Sequence, residues 1–276
     1  MNALITAAKK EGALNVIALP PTWANYGTII STFSKKYGIK VNSANPDGSS
    51  QDEVNAVKQE SGTAAAPDVL DIGMAVALQN VSLFAPYQVS TWSSIPASQK
   101  AANGVWVQDY GGYMSIGYES KFGTITSVSD LLSSKFKHAV ALNGNPTQAN
   151  AALNGVMMTS LANGGSASDI SKGVNFFHQL KTAGNFNPVQ ATGATIKAGT
   201  TPVVINWDYL NLPSYVGRSD WKVFVPSDAL LGGYYAQAIN KSAPHPAAAR
   251  LWEEYLYSQA ADGGQNLWLV GGARPV

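Results

Sequence analysis

Apolar side chains along this chain recur with two alternating periods. Residues 2–11 carry them at helical spacing and stop at Gly12, whereas ALNVIAL at 13–19 is a run of strand length. PPTWANYG follows as a loop opening a helix over 25–37, IKVNSA is a second strand, and PDGSSQ leads into a helix over 52–60. A third strand, Asp68 to Ile72 within PDVLDIG, is apolar enough to be buried on both faces and ends at Gly73 and Met74. Three consecutive strands thus end in loops that open helices, at 20–27, 46–52 and 73–76. The alternation predicts an α/β fold with a largely parallel sheet, in which ligands bind beyond the carboxyl ends of the strands.

A second series starts at VWVQDYGGYMSIGYES, extended chain bent at Gly111-Gly112 and a candidate crossing between two lobes. SVSDLL opens a helix with Ser129 at its N-cap, and KHAVAL is a strand. GNPTQAN begins a helix reaching Ala162 with Pro146 in its first turn, and another helix spans 168–183. VVINW at 203–207 is a strand that aims Asp208 beyond its end. Residues 222–226 and 234–239 are extended again, a return crossing, before the helix of PHPAAARLWEEYLYSQ with Pro246 in its first turn. No repeat or long linker interrupts the chain, which favours two lobes joined by more than one crossing. The predicted lobes are 1–110 with about 227–276, and 111–226, with hinges near 108–114 and 224–236.

Composition narrows the chemistry. At 276 residues and 45% hydrophobic, the chain has material for one large domain or two lobes. A net charge of +1 supplies no field for nucleic acid or an anionic membrane, so neither is an expected partner. Cysteine is absent, which removes thiol catalysis, disulfides and thiolate metal sites and fits a place outside the cytoplasm. His138, His178 and His245 are scattered, so no metal site is predicted. No GxSxG, nucleotide fingerprint, paired-carboxylate motif or Ser/His/Asp arrangement is present, so no catalytic residue or cofactor is expected and an α/β hydrolase or transferase is the least favoured reading. No apolar run approaches the ~20 residues of a membrane span. Met1 leads directly into the polar helix NALITAAKKEG, as in an exported chain after signal removal or in a cytoplasmic protein.

With only 13% of residues charged, the carboxylate of VVINWDYLN stands out: Asp208 lies between Trp207 and Tyr209. A solvated strand end would explain it. So would a pocket wall that holds a positive ligand group between ring faces, with cation–π contact of about 0.5–2 kcal/mol. Trp23 and Tyr26 in the first loop read either as packing residues or as rings lining a cleft. Of Ser49, Ser50 and Asp52, one caps the following helix, which leaves Ser50 as a hydroxyl for a ligand oxygen. Gly73 and Met74 make a turn that a ligand can approach closely. The stretch Gly144 to Thr147 outlines a helix N-terminus, with Thr147 adding a hydroxyl. Tyr110 near the first crossing and Tyr234 after Gly232-Gly233 complete the candidate ligand set. The predicted ligand is a small amine: a polyamine such as putrescine, or an ω-amino acid whose carboxylate would take the helix N-termini at 50–53 and 146–148.

Four segments in order, AAKKEGALNV, APDVLDIGMAVALQNVSLFAPY, SVSDLLSSKFKHAVAL and INKSAPHPAAARLWEEYLYS, resemble the extracytoplasmic solute-binding proteins of ABC importers. The resemblance covers nearly the whole chain and is strongest to the branch of polyamine, ferric-ion, thiamine and aminoethylphosphonate binders. It implies a two-lobed periplasmic-binding-protein (Venus flytrap) fold of type II, with the ligand in a cleft between lobes joined by crossing strands. It further implies an extracytoplasmic protein that delivers ligand to an ABC permease and its ATPase; the chain is expected to be a monomer, without its signal peptide. Ferric-ion binders of this branch carry adjacent tyrosines after the strand that here reads VVIN. Here the position holds Trp207-Asp208-Tyr209, which places iron last. A phosphonate held by helix N-termini, with Asp208 taking its amine, is the anionic alternative; Arg218, Arg250 and Arg274 lie outside the candidate loops.

Overall fold

The computed structural model describes the backbone of residues 1–276 and every side chain except those of residues 214 and 215. The chain divides into two compact units, Met1–Gly111 with Tyr234–Val276, and Gly112–Gly233.

The first unit opens with α1 (Asn2–Glu11), which ends where Gly12 takes the left-handed conformation at φ 75°. β1 (Ala13–Ile17) stops two residues before its apolar run does, because Ala18 turns the chain with φ 56°. α2 (Tyr26–Tyr37) and β2 (Lys40–Ala44) follow, and β2 pairs parallel with β1. α3 (Ser50–Gln59) begins two residues earlier than its apolar pattern suggests. Ser49 caps it: the hydroxyl accepts from the Asp52 N–H while the Asp52 carboxylate accepts from the Ser49 N–H. β3 (Val69–Gly73) is buried along its length, as its composition requires, and runs into α4 (Met74–Gln79) and β4 (Phe84–Ala85).

β5 (Val107–Glu119) carries the chain into the second unit at Gly111-Gly112. That unit contains β6 (Val140–Leu142), α5 (Asn150–Ala162), α6 (Ser171–Thr182), α7 (Gly193–Lys197), β7 (Val203–Trp207), α8 (Pro213–Val216) and β8 (Trp221–Phe224). β7 pairs parallel with β6 and antiparallel with β5, which also pairs with β8. A core of Ala141, Ala191, Ile196, Val204 and Trp221 lies among these strands and α7. Two expected helix starts move. The turn at Val128–Leu132 is 3-10 and is capped by Ser127, whose N–H donates to Asp130, so Ser129 lies inside it. α5 starts at Asn150, not near Pro146, because Asn145 forms a turn of its own. Its Oδ1 accepts both the N–H and the hydroxyl of Thr147 at 3.0 Å, and its carbonyl accepts from Gln148 and Ala149.

β9 (Gly232–Asn240) returns the chain at Gly233-Tyr234; residues 227–233 group with the second unit, where the Met114 N–H donates to Leu231 O. In the first unit β9 pairs antiparallel with β3, in the register Asp71 to Gln237, and with β4. α9 (Pro246–Leu256) buries Leu251, Trp252 and Tyr255, the last two against Phe33 of α2. α10 (Gly264–Val270) and β10 (Arg274–Pro275), antiparallel to β5, close the chain. The sheet is thus less parallel than expected: among the described strand pairs only β1–β2 and β6–β7 are parallel, because β5 and β9 run against their neighbours. No helix among the described residues is long and apolar enough to cross a membrane.

Candidate functional site

In the first unit the loop after β1 presents Trp23 half-buried. Its indole Nε1–H donates to the Tyr110 hydroxyl at 2.7 Å, and that hydroxyl donates to Asp71 Oδ2 at 2.7 Å. The Tyr110 ring stacks on Tyr235 at 5.7 Å, and Trp23 meets Tyr235 edge-on at 5.8 Å. Tyr26 and Tyr110 are themselves fully buried. They stand behind Trp23, so of the two first-loop rings only Trp23 reaches solvent. Tyr234, next along β9, is half-buried.

Behind the rings lies a polar network that the sequence reading missed. Gln237 Nε2 donates to Asp109 Oδ2 at 2.8 Å and to the Tyr26 hydroxyl at 3.1 Å. Glu53 accepts the Asp71 N–H at 3.0 Å. Burial raises the Asp71 carboxyl from 3.8 to about 6, against the hydrogen bonds from Tyr110 and Tyr26. Burial, then repulsion from Asp71, holds Asp109 and Glu53 well above the carboxylate range. The one signal in the sequence was a charged residue inside the apolar run VLDIG.

Two other first-unit candidates have local employment. Ser50 is buried, and its hydroxyl accepts the Gly73 N–H at 2.9 Å. The N-terminus of α3 carries Asp52 and Glu53 in its first turn, which opposes an anion there and corrects the site expected at 50–53. Gly73 ends β3 with an ordinary φ of −63°, and Met74 is half-buried at the start of α4.

In the second unit Asp208 lies partly exposed past the end of β7. Its Oδ1 accepts the N–H of Tyr113 at 3.1 Å and of Tyr209 at 3.0 Å. Gly112 is what lets the carboxylate come so close, since a Cβ there would stand 2.5 Å from Asp208 Oδ1. The flanking rings are not exposed: Trp207 is fully buried and Tyr209 is 1% exposed. Trp207 packs so tightly that a Cβ on Gly233 would meet its ring at 2.8 Å. Thr147 is exposed in the turn before α5, not on it, which removes the helix N-terminus expected at 146–148. The true first turn of α5 has neither a side-chain cap nor an acidic residue. Among the described residues no group of three His, Cys, Asp or Glu could hold a metal ion.

The family described as bacterial extracellular solute-binding protein matches residues 50–273. No curated protein sequence matches the chain. Among solved structures, the periplasmic binding protein AfuA from Actinobacillus pleuropneumoniae, with exogenous fructose-6-phosphate bound, is 17% identical with a TM-score of 0.74, covering 96% of this chain and 84% of its own. Iron-bound HitA from Pseudomonas aeruginosa is 17% identical with a TM-score of 0.65, covering 94% and 84%. A protein assigned as a spermidine/putrescine ABC transporter, from Listeria monocytogenes, is 15% identical with a TM-score of 0.67, covering 88% and 77%.

Proposed function

Because the chain belongs to the bacterial extracellular solute-binding protein family, the binding components of ABC importers, and has a two-lobed type II periplasmic-binding fold, we propose that its solute is a small amine. The observation that carries this reading is Asp208, a partly exposed carboxylate whose Oδ1 is oriented by two backbone N–H groups. A carboxylate held in direction rewards an ammonium with a charge-assisted hydrogen bond, roughly twice as strong as a neutral one. Trp23 and Tyr234 supply accessible ring surface for cation–π contact. Trp207, Tyr26 and Tyr110 support the contact residues from the core. Ser50 at the start of α3 and Gly73 and Met74 at the β3–α4 junction belong to the first unit, and Thr147 to the turn before α5 in the second. A polyamine such as putrescine, or an ω-amino acid, fits this chemistry, and the Listeria monocytogenes neighbour lends it support.

The proposed mode of action is capture with residues of both units, the strands β5 and β9 serving as hinges, followed by delivery to a permease and its ATPase. Differential affinity for the closed form would drive the change. The protein would act outside the cytoplasm, as a monomer, without nucleic acid and without catalysis. A second reading has one specific support: the uncapped, acid-free first turn of α5 suits a phosphate or phosphonate. Fructose-6-phosphate in AfuA accords with it.

A thermal-shift series separates these readings, since any solute that binds the native chain raises its melting temperature. The series comprises putrescine, spermidine, 4-aminobutyrate, fructose-6-phosphate, aminoethylphosphonate and Fe(III). The amine reading expects the first three to stabilise wild type and to lose most of that effect in Asp208→Asn. Stabilisation by fructose-6-phosphate alone would overturn it.

A further inference from the structure

Asp71, in the middle of β3, is linked to the half-buried ring of the first loop through a single phenol. The Tyr110 hydroxyl donates to Asp71 Oδ2 and accepts from Trp23 Nε1–H, each at 2.7 Å. The arrangement is directional. An ionised Asp71 commits the phenolic proton to itself and leaves the phenol oxygen to receive the indole N–H. Tyr235 backs both rings, stacked on Tyr110 and edge-on to Trp23, so the hydroxyl and this ring both bear on the indole orientation.

We propose that Asp71 is a positioning residue for Trp23: through Tyr110 it fixes the orientation of the indole, and its protonation loosens that hold. The functional meaning rests on the reading of Trp23 as a solute-facing ring. The titratable groups around Asp71 are Asp109 and Tyr110 of β5, Glu53 of α3, Tyr26 of α2 and Tyr257 after α9, while β9 places Gln237 opposite it. Asp71 Oδ1 is buried and receives no donor from the N–H and O–H groups around it, and burial with repulsion from Asp71 holds the nearby Asp109 well above the carboxylate range. The pair therefore accommodates one negative charge readily and a second with difficulty. With the Asp71 carboxyl raised to about 6, the relay is fully formed above that pH and is lost as the pH falls through it. When Asp71 takes a proton, the phenol loses its charged acceptor and its own proton turns toward other oxygens, which weakens the bond to the indole.

Indole N–H resonances in ¹H–¹⁵N spectra test this without any solute, with Trp23 identified by its absence in Trp23→Phe. In wild type the Trp23 resonance is expected to titrate with a midpoint at about 6 while that of Trp252 stays still. In Tyr110→Phe, which keeps the acid pair and removes the connecting oxygen, the Trp23 resonance is expected to be flat. Asp71→Asn is expected to be flat as well, and Tyr110→Phe carries the test should that variant fail to fold. A wild-type Trp23 resonance that ignores pH, or one that still titrates in Tyr110→Phe, would overturn the proposal. Putrescine added above the midpoint is read separately: no response in the Trp23 resonance or in the melting temperature counts against the amine reading and leaves the titration result standing.

Discussion

Asp208 Oδ1 accepts the backbone N–H of Tyr113 at 3.1 Å, tying the residue after β7 to the middle of β5. Part of this carboxylate's role is therefore internal. Asp208→Asn keeps an acceptor oxygen and removes the charge, so the two effects separate. The fold is expected to lose about 1 kcal/mol or less, whereas a charge-assisted contact of about 1.5–3 kcal/mol to an ammonium disappears. Titration calorimetry with putrescine should then show binding weakened roughly 10- to 100-fold. Equal affinity in wild type and variant would remove Asp208 from the site.

The closeness of that carboxylate depends on Gly112. An added Cβ would lie 2.5 Å from Asp208 Oδ1 and 2.7 Å from the Tyr209 ring, and Tyr209 is too buried to retreat. Gly112→Ala is expected to destabilise by about 1–3 kcal/mol, the cost of overpacking. A lowered urea midpoint with an unchanged slope checks it.

The elements with clean apolar periods, α1, α2, β3, β7 and α9, were legible in the sequence because packing follows that pattern directly. Asp208 was legible for the opposite reason, a charge where the pattern calls for none. What escaped was set by partners far along the chain. Asp71 reads as a blemish in an apolar strand until β9 is laid antiparallel beside β3 and Gln237 arrives opposite it. Nothing local marks Tyr110 as the link between Asp71 and Trp23. The late start of α5 failed differently: Asn145 offers its neighbours a side-chain acceptor that competes with the helix, a contest that apolar spacing does not report. Trp207 and Tyr209 look like pocket rings in sequence, but both are consumed by the core.

Ser50 was expected to offer its hydroxyl to a ligand, and the structure gives that oxygen a duty at the start of α4. Ser50→Ala leaves the Gly73 N–H buried without its acceptor, which had stood at 2.9 Å. The expected cost is about 1–3 kcal/mol of stability. Chemical denaturation measures it, and a change of a few tenths would show that water replaces the hydroxyl.

Glu253 of α9 gives the stability a pH dependence with a definite sign. It is 3% exposed, and burial, with a smaller contribution from Glu254, raises its carboxyl from 4.5 to about 8. A raised folded value means that the native chain holds the proton more tightly. The favourable contribution is full below 4.5 and is lost as pH rises toward about 8. At about 1.4 kcal/mol per unit, the loss is on the order of several kcal/mol. Asp71, Asp109 and Glu53 push in the same direction, so the difference between wild type and Glu253→Gln isolates this group. The melting temperature of the variant should gain on wild type steadily from acid to mildly alkaline pH. Parallel curves would mean that Glu253 finds a partner on ionisation.

Ferric ion is the solute that the local geometry serves worst. Iron needs several hard anionic oxygens in reach of one point. Directly after β7 the chain places the phenol of Tyr209, which is 1% exposed, next to a carboxylate whose Oδ1 already receives two backbone N–H groups. Among the described residues no cluster of three acids or histidines stands ready to complete a shell. Adding Fe(III) citrate to the protein should therefore produce no tyrosinate-to-iron absorption band in the visible and no rise in melting temperature. A band that disappears in Tyr209→Phe would show that the second unit rearranges to expose the phenol, and would put iron ahead of an amine.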